Sequence, residues 1–328
     1  VLQQLMDNIH LLEIPLKGSP LKWTNCYIVT GGKRALVVDT AFRTPECEAV
    51  LLGGLKQLGL RLEETDFFIT HFHVDHSGLC GVVKRPENHV YISRYEERKI
   101  NSLYTPESIY WLENQAFLRG IPQSEIIPAD EHISHKVGPI GQISFDILSP
   151  GDNLTFGNYH FRVMDLSGHT PGQIGLYDAA HSILFCGDHV LDRITPNIST
   201  WDYEKDYLAI FLDNLMRVRG LAPKHLFTAH RELPVDAVAR IDELLQHHNI
   251  RLDEIRLILK NHSGEWMTPY QVASLMKWNY SKSFSEFPPL QKWFACSEAT
   301  AHLQHLLFRD EVLRNDVNTS ELIRYRLK

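Results

Sequence analysis

Phe67-Phe68-Ile69-Thr70-His71-Phe72-His73-Val74-Asp75-His76-Ser77-Gly78 sets an apolar run directly before four groups that bind protons or metals, all within six residues. The run has the length and composition of a buried strand, so the four groups fall at a strand end. Three later stretches have the same form. Val163-Met164-Asp165-Leu166-Ser167-Gly168 leads into His169, Ile183-Leu184-Phe185-Cys186-Gly187 into Asp188, and His225-Leu226-Phe227-Thr228-Ala229 into His230. Strands sharing a sheet edge deliver their end residues to one place, so these groups are expected to converge despite their distance along the chain.

Five imidazoles and two carboxylates in one place offer the donor atoms that zinc, iron, manganese or nickel accept, in about the number a two-metal site needs. His71, His73 and His169 form one expected cluster, and Asp75, His76 and His230 the other, with Asp188 bridging them. The expected cofactors are two divalent metal ions, zinc first, with iron or manganese as alternatives. Such a pair activates water near neutral pH and polarises a carbonyl or phosphoryl oxygen. Asp75 is also expected to help move a proton. His189, beside Asp188, is expected to contact the substrate or protonate its leaving group, with plain hydrogen bonding as its alternative.

Apolar runs at residues 10–16, 25–30, 35–40, 67–70 and 90–93, then 145–149, 159–166, 174–177, 183–186 and 226–229, predict strands for two sheets. Helical spacing at 45–60 and 203–220 places helices between them, and 94–120 reads as an inserted helical pair. Residues 1–235 therefore read as one α/β layered catalytic domain. Residues 236–328 read as a helical linker and a winged-helix-like domain. They carry helices at 236–259 (with a local step at 249–250), 270–278 after Thr268-Pro269, and 297–310. Two short strands are expected within 313–327, around a polar turn at 315–320.

Thr70-His71-Phe72-His73-Val74-Asp75-His76 resembles the signature of the metallo-β-lactamase superfamily, and His169, Asp188 and His230 match its later ligand positions in order. Gly187-Asp188-His189 resembles its segment carrying the bridging aspartate. The resemblance covers residues 8–235 and implies an α/β (α+β) fold, an αββα sandwich with a dinuclear site on one edge. Asp39 resembles the aspartate that orients a ligand, its alternative being a turn or cap. The tail resembles the C-terminal domain of the β-lactamase-like protein 2 branch, whereas glyoxalase II-like thioesterases carry a different helical domain. The resemblance implies a metal-dependent hydrolase in which a metal-bridging hydroxide attacks an ester, thioester, lactone or amide carbonyl of a small molecule. A metal-dependent ribonuclease or phosphodiesterase is the alternative, and a mononuclear iron dioxygenase ranks third.

Thirty-three basic against 40 acidic residues give a net charge of −7, which disfavours a polyanion-binding surface. Residues 236–328 hold 12 of each sign, so the tail reads as a packing or dimerisation unit and nucleic acid as the second choice of partner. The five cysteines form no CxxC pair and fit reduced thiols, hence a cytoplasmic protein. No apolar run has the ~18 residues of a membrane span, and no signal peptide is visible. Candidate substrate contacts are Tyr104 and Trp111 on the insertion, and Arg193 and Asn197 in the loop 191–197. The alternatives for these are core packing and a surface ion pair.

Overall fold

The computed structural model describes residues 1–315, 317–318 and 320–328. Seven strands pair in chain order: β1 (Leu2–Met6), β2 (Ile9–Pro15), β3 (Trp23–Val29), β4 (Ala35–Val38), β5 (Thr65–Phe68), β6 (Val90–Ser93) and β7 (Asp146–Leu148). Pairing is antiparallel from β1 to β4 and parallel from β4 to β7. A second sheet joins β8 (Asn153–Phe156), β9 (Tyr159–Asp165), β10 (Ile174–Asp178) and β11 (Ile183–Gly187) antiparallel, with β12 (His225–Thr228) parallel at its edge.

The two-residue period of a strand sorts side chains between two cores. On β3, Tyr27 and Val29 join Phe68 and the second sheet's Phe161, Phe185 and Phe227 in a core between the sheets. Cys26 and Ile28 point the other way, towards Cys47, Leu51 and Leu55 of α1 (Pro45–Gln57). Helix α1 starts where the Thr44 hydroxyl accepts from the Cys47 N–H, with Pro45 in the first turn. Leu184, Cys186 and Leu226, on the outer face of the second sheet, are buried as well. The layering is αββα.

The chain divides into two compact units, each discontinuous in sequence. The first contains Val1–Leu103, Ile133–Pro196 and Asn214–Ile241, and so holds both sheets with α1, α2 (Val74–Ser77), α3 (Cys80–Val83), α4 (Arg94–Asn101) and α6 (Ile133–Val137). The second contains Tyr104–His132, Asn197–Asp213 and Asp242–Lys328. It holds α5 (Pro106–Leu118), α9 (Pro269–Leu275), α10 (Pro289–Phe308) and the antiparallel pair β13 (Val312–Arg314) and β14 (Tyr325–Leu327). Helices α7 (Tyr207–Leu221) and α8 (Ala237–Asn261) give residues to both units. The insertion at 94–120 is thus divided, α4 falling in the first unit and α5 in the second. No helix among the described residues is long and apolar enough to cross a membrane.

Three expectations change. Strands β1 and β8 join the sheets unannounced. Helix α8 runs without the step expected at 249–250, because Ile241, Leu244, His248, Leu252, Ile255 and Leu259 keep one buried stripe at helical spacing through that point. Helix α10 begins at Pro289 rather than at 297, with proline in the first turn, where its missing N–H costs nothing. Of the turn expected at 315–320, Asp316 and Thr319 lie outside the described residues.

A polar cluster in the second unit makes stability acid-sensitive. His248 Nδ1 lies 3.1 Å from His302 Nε2, and the Glu298 carboxylate faces His247 at 3.7 Å and Arg251 at 3.3 Å. Burial pushes His302 down to about 4 and also lowers His248. Folded His302 therefore refuses a proton that the unfolded chain accepts. Its contribution is complete above 6.5 and is lost as pH falls towards 4, a loss of at most about 3 kcal/mol. Urea unfolding between pH 7 and 4 is expected to show this decline, and His302→Gln to flatten it; parallel curves would contradict the assignment.

Candidate metal centre

The ends of five strands build one site in the first unit. The chain leaves β4 at Asp39, leaves β5 through Ile69 and Thr70 to His71, and turns into α2 with Asp75 and His76. It leaves β9 towards His169, β11 at Asp188 and β12 at His230. A cross-sheet tie fixes the last of these: Tyr27 Oη and Asn25 Nδ2 both donate to the Thr228 carbonyl. Gly187 allows the turn into Asp188. Its φ of 54° suits glycine, and a Cβ there would lie 2.7 Å from Thr70 Oγ1. Gly187→Ala is expected to cost about 2 kcal/mol in strain and to shift the Thr70 hydroxyl off His71. Calorimetry and a metal titration check this, and an unchanged melting temperature would count against it.

The side chains form two clusters that share one carboxylate. His73 Nδ1 lies 3.0 Å from both His71 Nε2 and His169 Nε2. In the second cluster, His230 Nε2 lies 3.2 Å from His76 Nε2 and 3.3 Å from Asp75 Oδ2. Asp188 turns Oδ1 to His230 and His76, at 3.3 and 3.5 Å, and Oδ2 to His169 at 3.7 Å. Ligands placed tetrahedrally around zinc at its usual bond lengths lie about 3.3 Å apart, so both clusters have the spacing of a coordination shell. Asp188 Oδ1 is buried and accepts no hydrogen bond among the described residues. A buried, unsatisfied carboxylate oxygen facing two imidazole nitrogens fits a cation.

The electrostatics divide along the same line. Burial, together with the crowding of the neighbouring imidazoles, pushes His71 well below its ordinary value and His73 down to about 3. Both are therefore neutral, the form that ligates metal. Burial alone would raise Asp75 and Asp188, but His76 and His230 outweigh it, bringing Asp75 to about 2 and lowering Asp188. Burial would also lower His76 and His230, yet the carboxylates around them raise both. The second cluster thus stabilises positive charge, which a proton or a divalent cation supplies.

Outer groups aim the rings. His76 Nδ1 lies 2.8 Å from Asp39 Oδ2, and His230 Nδ1 lies 2.9 Å from the Trp23 carbonyl. His71 Nδ1 lies 3.0 Å from Thr70 Oγ1, which also bonds Asp39. With Nδ1 occupied in this way, Nε2 of each ring is left facing the site. Sequence reading missed Glu96 of α4. Fully buried, its carboxylate accepts from the Phe72 N–H (2.7 Å), the Thr170 hydroxyl (2.9 Å) and the Gly172 N–H (2.8 Å). The pair Glu96-Glu97 within Arg94-Tyr95-Glu96-Glu97 reads as a solvated helix face, and only the fold shows that Glu96 points inward.

The remaining candidates fall in both units. His189 is fully buried, and burial pushes it down to about 3. Arg193 is exposed and pairs with Asp192 at 3.3 Å. In the second unit, the Asn197 side chain donates to the Phe294 carbonyl, Trp111 stacks on Trp201 with centroids 5.7 Å apart, and Tyr104 is exposed between α4 and α5.

The profile described as Metallo-beta-lactamase superfamily matches residues 23–230. An acyl-coenzyme A thioesterase, MBLAC2, from Gallus gallus is 29% identical over 212 residues, 62% of this chain and 70% of that protein. A hydroxyacylglutathione hydrolase from Bdellovibrio bacteriovorus is 32% identical over 85 residues, 26% of this chain and 32% of that protein. A metallo-beta-lactamase family protein from Thermus thermophilus superposes with a TM-score of 0.80 at 24% identity, covering 99% of this chain and all of that one. A beta-lactamase domain protein from Burkholderia ambifaria gives 0.83 at 22% identity, covering 100% and 94%. These two likenesses concern the fold.

Proposed function

This chain belongs to the metallo-β-lactamase superfamily, and from that premise we propose that it is a dinuclear hydrolase of thioesters, with acyl-coenzyme A as its substrate class. The carrying observation is Asp188, which turns one carboxylate oxygen to each cluster. His71, His73 and His169 would hold one divalent ion, zinc first, and Asp75, His76 and His230 the other, with Asp188 shared. Such a pair supplies a water that ionises near neutral pH and a Lewis acid for the oxygen on which charge develops.

The chain's own groups do the rest. Asp39, Thr70 and the Trp23 carbonyl fix the ring orientations, so little reorganisation is needed during reaction. Asp75, held ionised beside His230 Nε2, is assigned to accept and pass on the proton released as water adds to the acyl carbon. Fully enclosed His189 is left out of the proton transfer. The thioester class follows the two relatives, one named for acyl-coenzyme A and one for hydroxyacylglutathione. Coenzyme A is preferred because that likeness spans more of this chain.

The order of α9, α10 and the β13–β14 pair supports a winged-helix-like reading of the tail. The free, buried cysteines support a reducing compartment such as the cytoplasm. Thiol release from acyl-coenzyme A and hydroxyacylglutathione, measured beside metal content, tests the reading. About two zinc ions per chain with preferred acyl-coenzyme A turnover is the expected result. A single iron per chain, or salt-dependent RNA cleavage without thiol release, would overturn it.

A further inference from the structure

We propose that Glu96 is the positioning residue of the three-histidine half of the site, its carboxylate setting the distance between the loop carrying His71 and His73 and the loop carrying His169. The inference rests on the two-metal reading above. Phe72, whose N–H Glu96 accepts, sits between His71 and His73, while Thr170 directly follows His169. One carboxylate therefore spans both loops, Oε2 serving the first and Oε1 the second.

The surroundings hold that span to one length. The Ser77 hydroxyl donates to the Phe72 carbonyl, and the Ser93 hydroxyl, just before α4, donates to the Gly172 carbonyl. Phe72 and Gly172 are thus each held at both the N–H and the carbonyl. Gly172 is forced by this approach, since a Cβ there would lie 2.7 Å from Ser93 Oγ and 2.9 Å from Glu96 Oε1. The other half of the site has anchors that do not involve Glu96: the Thr24 hydroxyl on the Asp75 carbonyl, Asp39 on His76, and the Trp23 carbonyl on His230. Loss of the Glu96 span should loosen one metal position and leave the other.

Glu96→Gln tests this with little change in volume. A carboxamide has one acceptor oxygen, so it cannot serve both loops, and its NH₂ must face one of the donors. Metal content after dialysis, competition titration with zinc, and the visible spectrum of the cobalt(II)-loaded protein are compared with far-UV circular dichroism. The parent chain is expected to hold two ions. Glu96→Gln is expected to keep its fold and one ion at parental affinity, with the other weakened about 10–100-fold and the cobalt spectrum altered. Thr170→Val, which removes one donor, should weaken the same ion less.

The outcomes separate the two readings. A parent chain that binds no metal defeats the two-metal reading itself. A parent chain with two ions and a Glu96→Gln variant equal to it in affinity and spectrum overturns the role of Glu96. Equal weakening of both ions overturns it too, by showing general structural support. Should Glu96→Gln fail to fold, Thr170→Val decides: weakening of one ion supports the proposal, and two unchanged ions overturn it.

Discussion

Asp188→Ala is expected to lower kcat/KM for a thioester by about 10³-fold or more, equivalent to about 4 kcal/mol, and to drop metal content from about two ions to one or fewer per chain. The effect is large because this side chain serves both clusters. Oδ1 lies 3.3 and 3.5 Å from His230 and His76, and Oδ2 lies 3.7 Å from His169. Removing it leaves Asp75 as the remaining carboxylate among the seven side chains, while five imidazoles stay crowded together. Asp188→Asn keeps the shape and one oxygen, so it should lose less metal than Asp188→Ala but still most of the turnover. Plasma mass spectrometry and steady-state kinetics on the same preparations check this. Two ions per chain in Asp188→Ala would show that the carboxylate does not bridge.

The convergence of the seven side chains was legible because each follows a short apolar strand, and strand ends on one sheet edge meet by topology. Strand polarity puts His71 at an edge of the first sheet and Asp188 and His230 at an edge of the second, and the packing of the two sheets face to face brings them together. The misses have a physical pattern. Strand β8, Asn153-Leu154-Thr155-Phe156, buries only Phe156 fully, so its hydrophobic period is too weak to read. Strand β1 is half exposed at the opposite edge of its sheet. Glu96 was illegible for a different reason. Its partners are mostly backbone N–H groups, at Phe72 and Gly172, which no residue identity announces. The insertion was read as one helical pair, yet its helices fall in different units, because sequence spacing reports helices and not what they pack on.

Asp39→Ala is expected to destabilise the protein by about 4–6 kcal/mol, close to half of a typical folding free energy. Asp39 is buried and accepts from the Thr70 N–H at 2.8 Å, while its oxygens also bond the Thr70 hydroxyl and His76 Nδ1. Alanine would leave these groups without an acceptor in the interior, at about 1–3 kcal/mol each. It would also have to adopt the φ of 60° found at Asp39, which adds about 1 kcal/mol for an alanine. Asp39→Asn separates these effects, since asparagine tolerates the left-handed backbone and keeps an acceptor for Thr70. Its NH₂ would then face His76 Nδ1 and favour the tautomer with the proton on Nε2, the nitrogen that faces Asp188 and His230. Metal affinity at that half should fall about 10–100-fold with a smaller loss of stability than in Asp39→Ala. Urea unfolding of the metal-free chain measures the first quantity and zinc competition the second. An Asp39→Asn variant with parental zinc affinity would show that His76 is aimed by packing rather than by the carboxylate.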